Sequence, residues 1–372
     1  MVFGKNLPKI SIILIIERLA QNVKSLLKKS PSEKERTCMK EYLLKSKNDK
    51  SDRSAEIEEK LKRYGTCILG SGDFYVTGIK MPDATTLSGQ GNATRIILDP
   101  DVTDGAAVQL GSFCTVLNLC AAGAEEEWSE RPVGIGNRTG LLFFGTAKHV
   151  GDPAPRNAIV ESCYIHSFSG GGLKCIDTGY HVRSAVTASN CHITRCGAGI
   201  YIPHFSEFHQ FTNMQCCGNG YGCINNGGNN MFVNCNFSGN TMGFLIYNGN
   251  GMAKNNSHGS AIGCTFHHSD GNGGIGIKIV NAKNGYVFSG CQIAFSDIVL
   301  ENSTRVQFTG MNILRGVNIS IHGGSAMMTS CFFGLPETVN PIKLSGGAKL
   351  RCRDCIDAEG NDCIVIEGHD VT

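Results

Sequence analysis

No apolar run in this 372-residue chain is long enough to cross a bilayer. Ile10-Ser11-Ile12-Ile13-Leu14-Ile15-Ile16 stops after seven residues, against the ~20 that a spanning helix needs. Glu17-Arg18 follows it where a secretory leader would place small residues, so a cleaved leader is not expected. Charge is sparse, at 18% of residues with a net of +2. The basic surplus sits in the first 65 residues, 16 basic against 9 acidic. Those lysines are interleaved with glutamates and carry no aromatic pattern, which describes a solvated helix face; no nucleic-acid partner is expected. Metal-ligand spacing is missing as well. His267-His268 are adjacent, so on a strand they point to opposite faces. His204 and His209 are separated by a loop, and no aspartate cluster has the density of a calcium site. Cys216-Cys217 and Cys352-x-x-Cys355 stand alone as thiol pairs. Neither a metal nor a cofactor is expected.

Glycine and cysteine are abundant instead, with 47 Gly and 18 Cys. Glycine is nearly twice its usual share. Eight cysteines open a recurring phrase: Cys163, Cys191, Cys216, Cys235, Cys264, Cys291, Cys331 and Cys355. Each follows a small or polar residue, and Met311 stands where a further one would fall. A variable stretch then leads to a short apolar strand such as Gly199-Ile200-Tyr201-Ile202 or Gly243-Phe244-Leu245-Ile246. Short strands at loose intervals, with Gly and Asn turns, mark a solenoid. The variable interval excludes helical repeats and fits a single-stranded parallel β-helix, an all-β fold. Stacked cysteines would stand ~4.8 Å apart with parallel side chains, poor geometry for a disulfide torsion. Buried free thiols and folding in a reducing compartment follow.

The chain changes character at Gly65. Residues 1–65 read as a helical, basic segment for attachment, oligomerisation and capping, and 66–372 as the β-helix. Ile12, Ile16, Leu19, Val23 and Leu26 form a short coiled-coil seam. A second helix runs to Tyr64 with Ile57, Leu61 and Tyr64 on one face and Gly65 as its C-cap; its expected role is to cover the open first coil. A large loop is expected near 122–157, holding Glu125-Glu126-Glu127 and the single tryptophan, Trp128. Phenylalanines are expected to fill the lumen. About a dozen coils at ~4.8 Å each give a rod ~60 Å long.

Gly72-Asp73-Phe74-Tyr75-Val76, then Leu87-Ser88-Gly89-Gln90-Gly91 before Thr94-Arg95-Ile96, resembles the opening coil of the pectate-lyase-like superfamily of right-handed parallel β-helices. The body, with Ser206 to His209 and Tyr221 to Asn230, is similar to β-helical tail and tailspike proteins of phages and prophages. That resemblance implies a virion protein, folded in the host bacterial cytoplasm and released by lysis. It implies an oligomer that recognises a host-surface polysaccharide and joins other tail proteins through its N-terminal helices. The fold also carries depolymerases and inert structural proteins, and both alternatives stay open.

The candidate site follows the apolar strands of adjacent coils. Asp177 and Glu207, about one coil apart and at similar depth, are the candidate carboxylate pair of a glycosidase, with His209 beside them. Tyr180, Arg183, Tyr201, His204, Asn225, Asn226 and Asn229 are the candidate sugar-binding residues, since flat rings stack on sugar faces and amides pair with hydroxyls.

Overall fold

A computed structural model of the chain describes residues 42–47, 49–147, 152–179, 185–203, 206–247, 258–268, 274–334, 342–362 and 366–367. The chain divides into two compact units, Met1–Leu43 and Leu44–Thr372. The seam from Ile12 to Leu26 lies outside the described residues. The second unit is a parallel β-solenoid of about 12 turns.

Each central coil supplies three strands. In one coil these are Val186–Ser189, His192–Thr194 and Ala198–Ile202. Each pairs in parallel with its counterpart one coil on, at Gln210–Thr212, Gln215–Cys216 and Tyr221–Asn225. The three stacks are called sheets A, B and C. Side chains alternate along every strand, so Ala188, Ile193 and Ile200 are fully buried while Thr187 and His192 face outward.

The corner between sheets A and B explains the cysteine phrase. In nine successive coils one residue there takes a left-handed backbone: Ser162, Asn190, Asn213, Asn234, Gly263, Gly290, Gly310, Ser330 and Asp354, with φ between 51° and 63°. Gly, Asn and Asp tolerate that conformation best. The next residue points inward. There the thiol of Cys264 donates to the carbonyl of Ile262 two residues back (3.5 Å) and to that of Phe232 one coil back (3.5 Å). Cys191, Cys235, Cys291 and Cys331 repeat both contacts. A thiol is apolar enough for the core yet a weak donor, and it adds a contact to carbonyls such as that of Ile262, which also accepts the Asn234 N–H from the adjacent coil at 2.9 Å. All sixteen described cysteines are free. Met311 holds a ladder position, as expected, because Asn312 pairs with Gln292. Cys216 does not. Ile193 pairs with Cys216, so the partner of Cys191 is Met214, after Asn213. Cys216 is an inward residue of sheet B, two places further on.

Phenylalanines fill the lumen. Phe211 stacks on Phe232 (centroids 4.9 Å apart), Phe237 on Phe266 (5.6 Å) and Phe288 on Phe308 (5.4 Å). Each buried ring contributes ~1.5–3 kcal/mol. Opposite them the wall closes on glycine. At Gly140, Gly172, Gly199, Gly222 and Gly243 a Cβ would stand 2.5–3.1 Å from the carbonyl oxygen of the glycine one coil on. The space also admits buried amides: Asn219 Nδ2 donates to Ile193 O (3.0 Å), and Asn240 Nδ2 to Cys216 O (2.8 Å).

Helix Ser54–Tyr64 buries Ile57 and Leu61 in the same core as Cys67, Leu69 and Phe74. It ends at Gly65, whose N–H donates to Leu61 O at φ 71°. The expected helix and its C-cap are therefore present, with Ile57 and Leu61 on its buried face and Tyr64 half-buried. The 122–157 segment is not one loop. Strand Arg138–Phe144 runs through it and pairs with Gly105–Leu110 and Gly171–Ile176. Its alternation, Thr139, Leu141 and Phe143 inward, was hidden by the Gly and Pro residues on either side. The projecting loop is 123–137.

Candidate functional site

Two corners of the solenoid gather chemistry. The first lies where sheet C returns to sheet A. Asp177 is buried there with φ 52°. Glu207 is also buried, and its Oε2 accepts from Asn229 Nδ2 at 3.0 Å. Lys174 pairs with Tyr201, and Gly179 with Ser206, a constant offset of 27 residues. Asp177 lies two residues before that bridge and Glu207 one residue after it. The two carboxylates are on adjacent coils, as expected, but three residues out of register, or ~10 Å of extended chain.

His209 is fully buried. Its Nδ1 accepts from the Val186 N–H (2.9 Å), and Nε2 lies 3.5 Å from the Thr178 hydroxyl. Burial pushes its pKa down to about 3, so the ring is neutral and serves the lumen. Asn225 is likewise interior rather than sugar-facing; its Oδ1 accepts from Asn230 Nδ2 at 2.8 Å. Asn226 is half-buried and accepts from the Tyr247 N–H (2.7 Å), while Asn229 is exposed. Tyr201 sits half-buried on the outer face of sheet C with Lys174 Nζ 5.4 Å from its ring. Burial raises the tyrosine pKa and lowers the lysine pKa. Tyr180, Arg183 and His204 lie outside the described residues. One neighbour was missed by sequence reasoning. The position a Cβ of Gly228 would take is 2.5 Å from Glu207 Oε1 and 2.5 Å from His258 Cε1, so the carboxylate and imidazole meet over a glycine.

The second corner, between sheets B and C, is a groove of about 880 Å³ walled by loop 123–137. Its lining includes Arg131, Arg195, Tyr221, Ser238, Thr241 and His267. The loop is fastened along its length. Arg95 Nη1 donates to Glu125 O (2.6 Å), Ser167 Oγ accepts from the Trp128 N–H (2.9 Å), and Arg131 Nη1 reaches Gly239 O (2.7 Å) across 108 residues. Glu127 accepts from the Tyr164 hydroxyl and lies 3.9 Å from Arg195 Nε. Burial lowers the pKa of His267, and of His192 on the same sheet, so both are neutral donors and acceptors at pH 7. Glu130 is the one carboxylate in the lining. No composition signal could have revealed it, because its walls come from coils far apart in sequence.

No protein-family model matches the chain, and no curated protein matches it. Solved structures do. The catalytic unit of a thermostable GH87 alpha-1,3-glucanase from Streptomyces thermodiastaticus strain HF3-3 aligns with TM-score 0.51 and 12% identity, over 82% of this chain and 66% of its own. Full-length tailspike protein 2 from Escherichia coli O157:H7 bacteriophage CAB120 aligns with TM-score 0.47 and 15% identity, over 83% of this chain. Tailspike protein gp49 from Acinetobacter baumannii bacteriophage Fri1 aligns with TM-score 0.46 and 10% identity, over 88% of this chain and 63% of its own. The chain spans about 40% of the length of the first tailspike. At these identities the likeness is one of fold: a parallel β-solenoid of the kind found in phage tailspikes and β-helical enzymes.

Proposed function

We propose that this chain recognises a host-surface polysaccharide as part of a phage or prophage tail, holding the glycan in the groove under loop 123–137. The supporting observation is the groove itself: a fastened loop roofs a corner lined by neutral hydrogen-bonding side chains, two guanidinium groups and the half-buried Tyr221. Hydroxyl-rich chains are bound by this combination, a ring for the sugar face and convergent polar groups for orientation. The volume lies within the ~300–1,000 Å³ of ordinary ligand sites, enough for a few sugar units. The neighbouring fold of an alpha-1,3-glucanase agrees with a glycan ligand without requiring cleavage.

The test is binding of purified bacterial surface polysaccharides to the native chain, Tyr221→Ala and Arg131→Ala, with reducing ends measured in the same samples. Both variants are expected to bind at least ~10-fold more weakly, about the loss of one good contact. Unchanged binding in both, or no binding by the native chain, overturns the proposal. Release of reducing ends that Glu207→Gln abolishes would move the function to the first corner and to depolymerisation.

A further inference from the structure

On the outer face of sheet C, Lys174 stands between Leu142 one coil back and Tyr201 one coil on. The column continues through Ile224 and Leu245 to Lys278, four coils from Lys174. The two lysines hold equivalent positions and differ in their partners. Lys278 Nζ is neutralised by Glu301 at 2.8 Å. Lys174 makes no ion pair among the described residues; its Nζ lies 5.4 Å from the centre of the Tyr201 ring. Nor does the Tyr201 hydroxyl have a hydrogen-bond partner among those residues. Both side chains are half-buried. Their close approach depends on Gly171, where a Cβ would stand 3.0 Å from Tyr201 Cβ and 3.3 Å from Lys174 Cβ. An ammonium held in an apolar column without a counter-charge is costly to keep, and burial lowers its pKa accordingly.

We infer that Lys174 and Tyr201 form a second subsite, one that binds an anionic group, a carboxylate or a phosphodiester, carried by the glycan. This assignment rests on the glycan reading of the groove and names the class of polysaccharide as acidic. The two sites share one face. Tyr221 lines the groove and pairs with Ala198, three residues before Tyr201. One coil back and three residues along, Tyr201 is thus ~11 Å from Tyr221, a distance that a few linked sugars cover. Nothing bulky stands between them. Gly199, Ile200, Gly222 and Cys223 are buried, and Ala198, opposite Tyr221, is too small to interrupt the shelf. An ammonium and a phenol hydroxyl side by side supply donors and one full charge, which suits the paired oxygens of a carboxylate or phosphate. The apolar neighbours Leu142 and Ile224 thin the water there, so charge pairing is stronger than in open solvent. A neutral sugar hydroxyl gains nothing from that charge.

A panel of bacterial surface polysaccharides carrying uronic acids, phosphodiesters or neither tests this, the uronic acid polymers also with their carboxylates reduced to alcohols. The native chain is expected to bind an anionic polymer about tenfold more tightly than neutral ones, the worth of one charge-assisted contact. Loss of that preference on reduction identifies the carboxylate; a preference confined to phosphodiester polymers identifies the phosphate. Lys174→Met keeps the packing of the stem and should bind anionic and neutral polymers alike, whereas Lys174→Arg should retain the preference in part. Tyr221→Ala should weaken binding of both kinds by the same factor. Brief acetylation read by mass spectrometry gives a second measure: the anionic polymer should protect Lys174 and leave Lys278 as reactive as before. A native chain that binds anionic and neutral polymers equally, or a Lys174→Met variant that keeps the preference, overturns the subsite and leaves the groove reading in place. Absence of binding to every polymer overturns the groove reading and the subsite with it.

Discussion

Acid should destabilise this solenoid through His209, and the size of the effect follows from its surroundings. The ring is fully buried, and its Nδ1 accepts the Val186 N–H at 2.9 Å. Protonation would set one N–H against another and place a charge in a closed, largely apolar lumen. The folded pKa is accordingly depressed to about 3, against ~6.5 in an unfolded chain. The contribution is therefore present in full above pH 6.5 and is lost as pH falls, because the unfolded state binds the proton first. Each pH unit in that window costs ~1.4 kcal/mol, so ~2 kcal/mol is gone by pH 5. Urea unfolding of the native chain and of His209→Gln at pH 8, 6 and 5 isolates the effect. The glutamine variant should be less stable at pH 8, from lost packing, and the gap should narrow by ~2 kcal/mol at pH 5. A gap that stays constant over this range would refute the reasoning.

The glycine wall yields a second prediction: Gly243→Ala places a Cβ 2.6 Å from the Gly276 carbonyl oxygen and should cost ~1–3 kcal/mol by overpacking. Gly290→Ala, where nothing lies within 4 Å, should cost only the ~1–2 kcal/mol of a left-handed backbone; urea midpoints will rank the two only if the coils are as closely set as described. Gly228→Ala should push Glu207 and His258 apart, lowering the melting temperature while leaving polysaccharide binding in the groove intact. Brief maleimide labelling of the native protein, read by mass spectrometry, should modify Cys217 and Cys352 first among the described cysteines, since the other fourteen are buried. Burial, with the Glu127 charge adding to it, pushes the Cys196 thiol up to about 12, so its rapid labelling would contradict the closed lumen.

Much of the fold was legible because its rules are local. The left-handed residue and the inward thiol are neighbours, so Asn190-Cys191, Asn234-Cys235 and Ser330-Cys331 announce the same corner each time. Gly65 announces the helix end in the same way. Cys216 was misplaced for an equally local reason: Asn213-Met214 fills that corner with a thioether, and Cys216-Cys217 two residues later offered a more familiar letter. The carboxylates failed differently. Depth within a coil depends on the corner path, and only the Gly179–Ser206 bridge fixes Glu207 three places beyond Asp177. His209 and Asn225 read as polar and exposed, whereas this lumen takes polar side chains wherever corner amides need partners. The groove was the least legible element. Arg131 and Gly239 are 108 residues apart, and no spacing rule joins them.

Hydrogen exchange of the native chain with and without a bound polysaccharide puts the central claim to its most direct test. Slower exchange across residues 129–134 and 217–221, with residues 206–209 and 226–229 unchanged, is the predicted result. Protection confined to the corner of Glu207 and Asn229, with loop 123–137 exchanging as before, would contradict it.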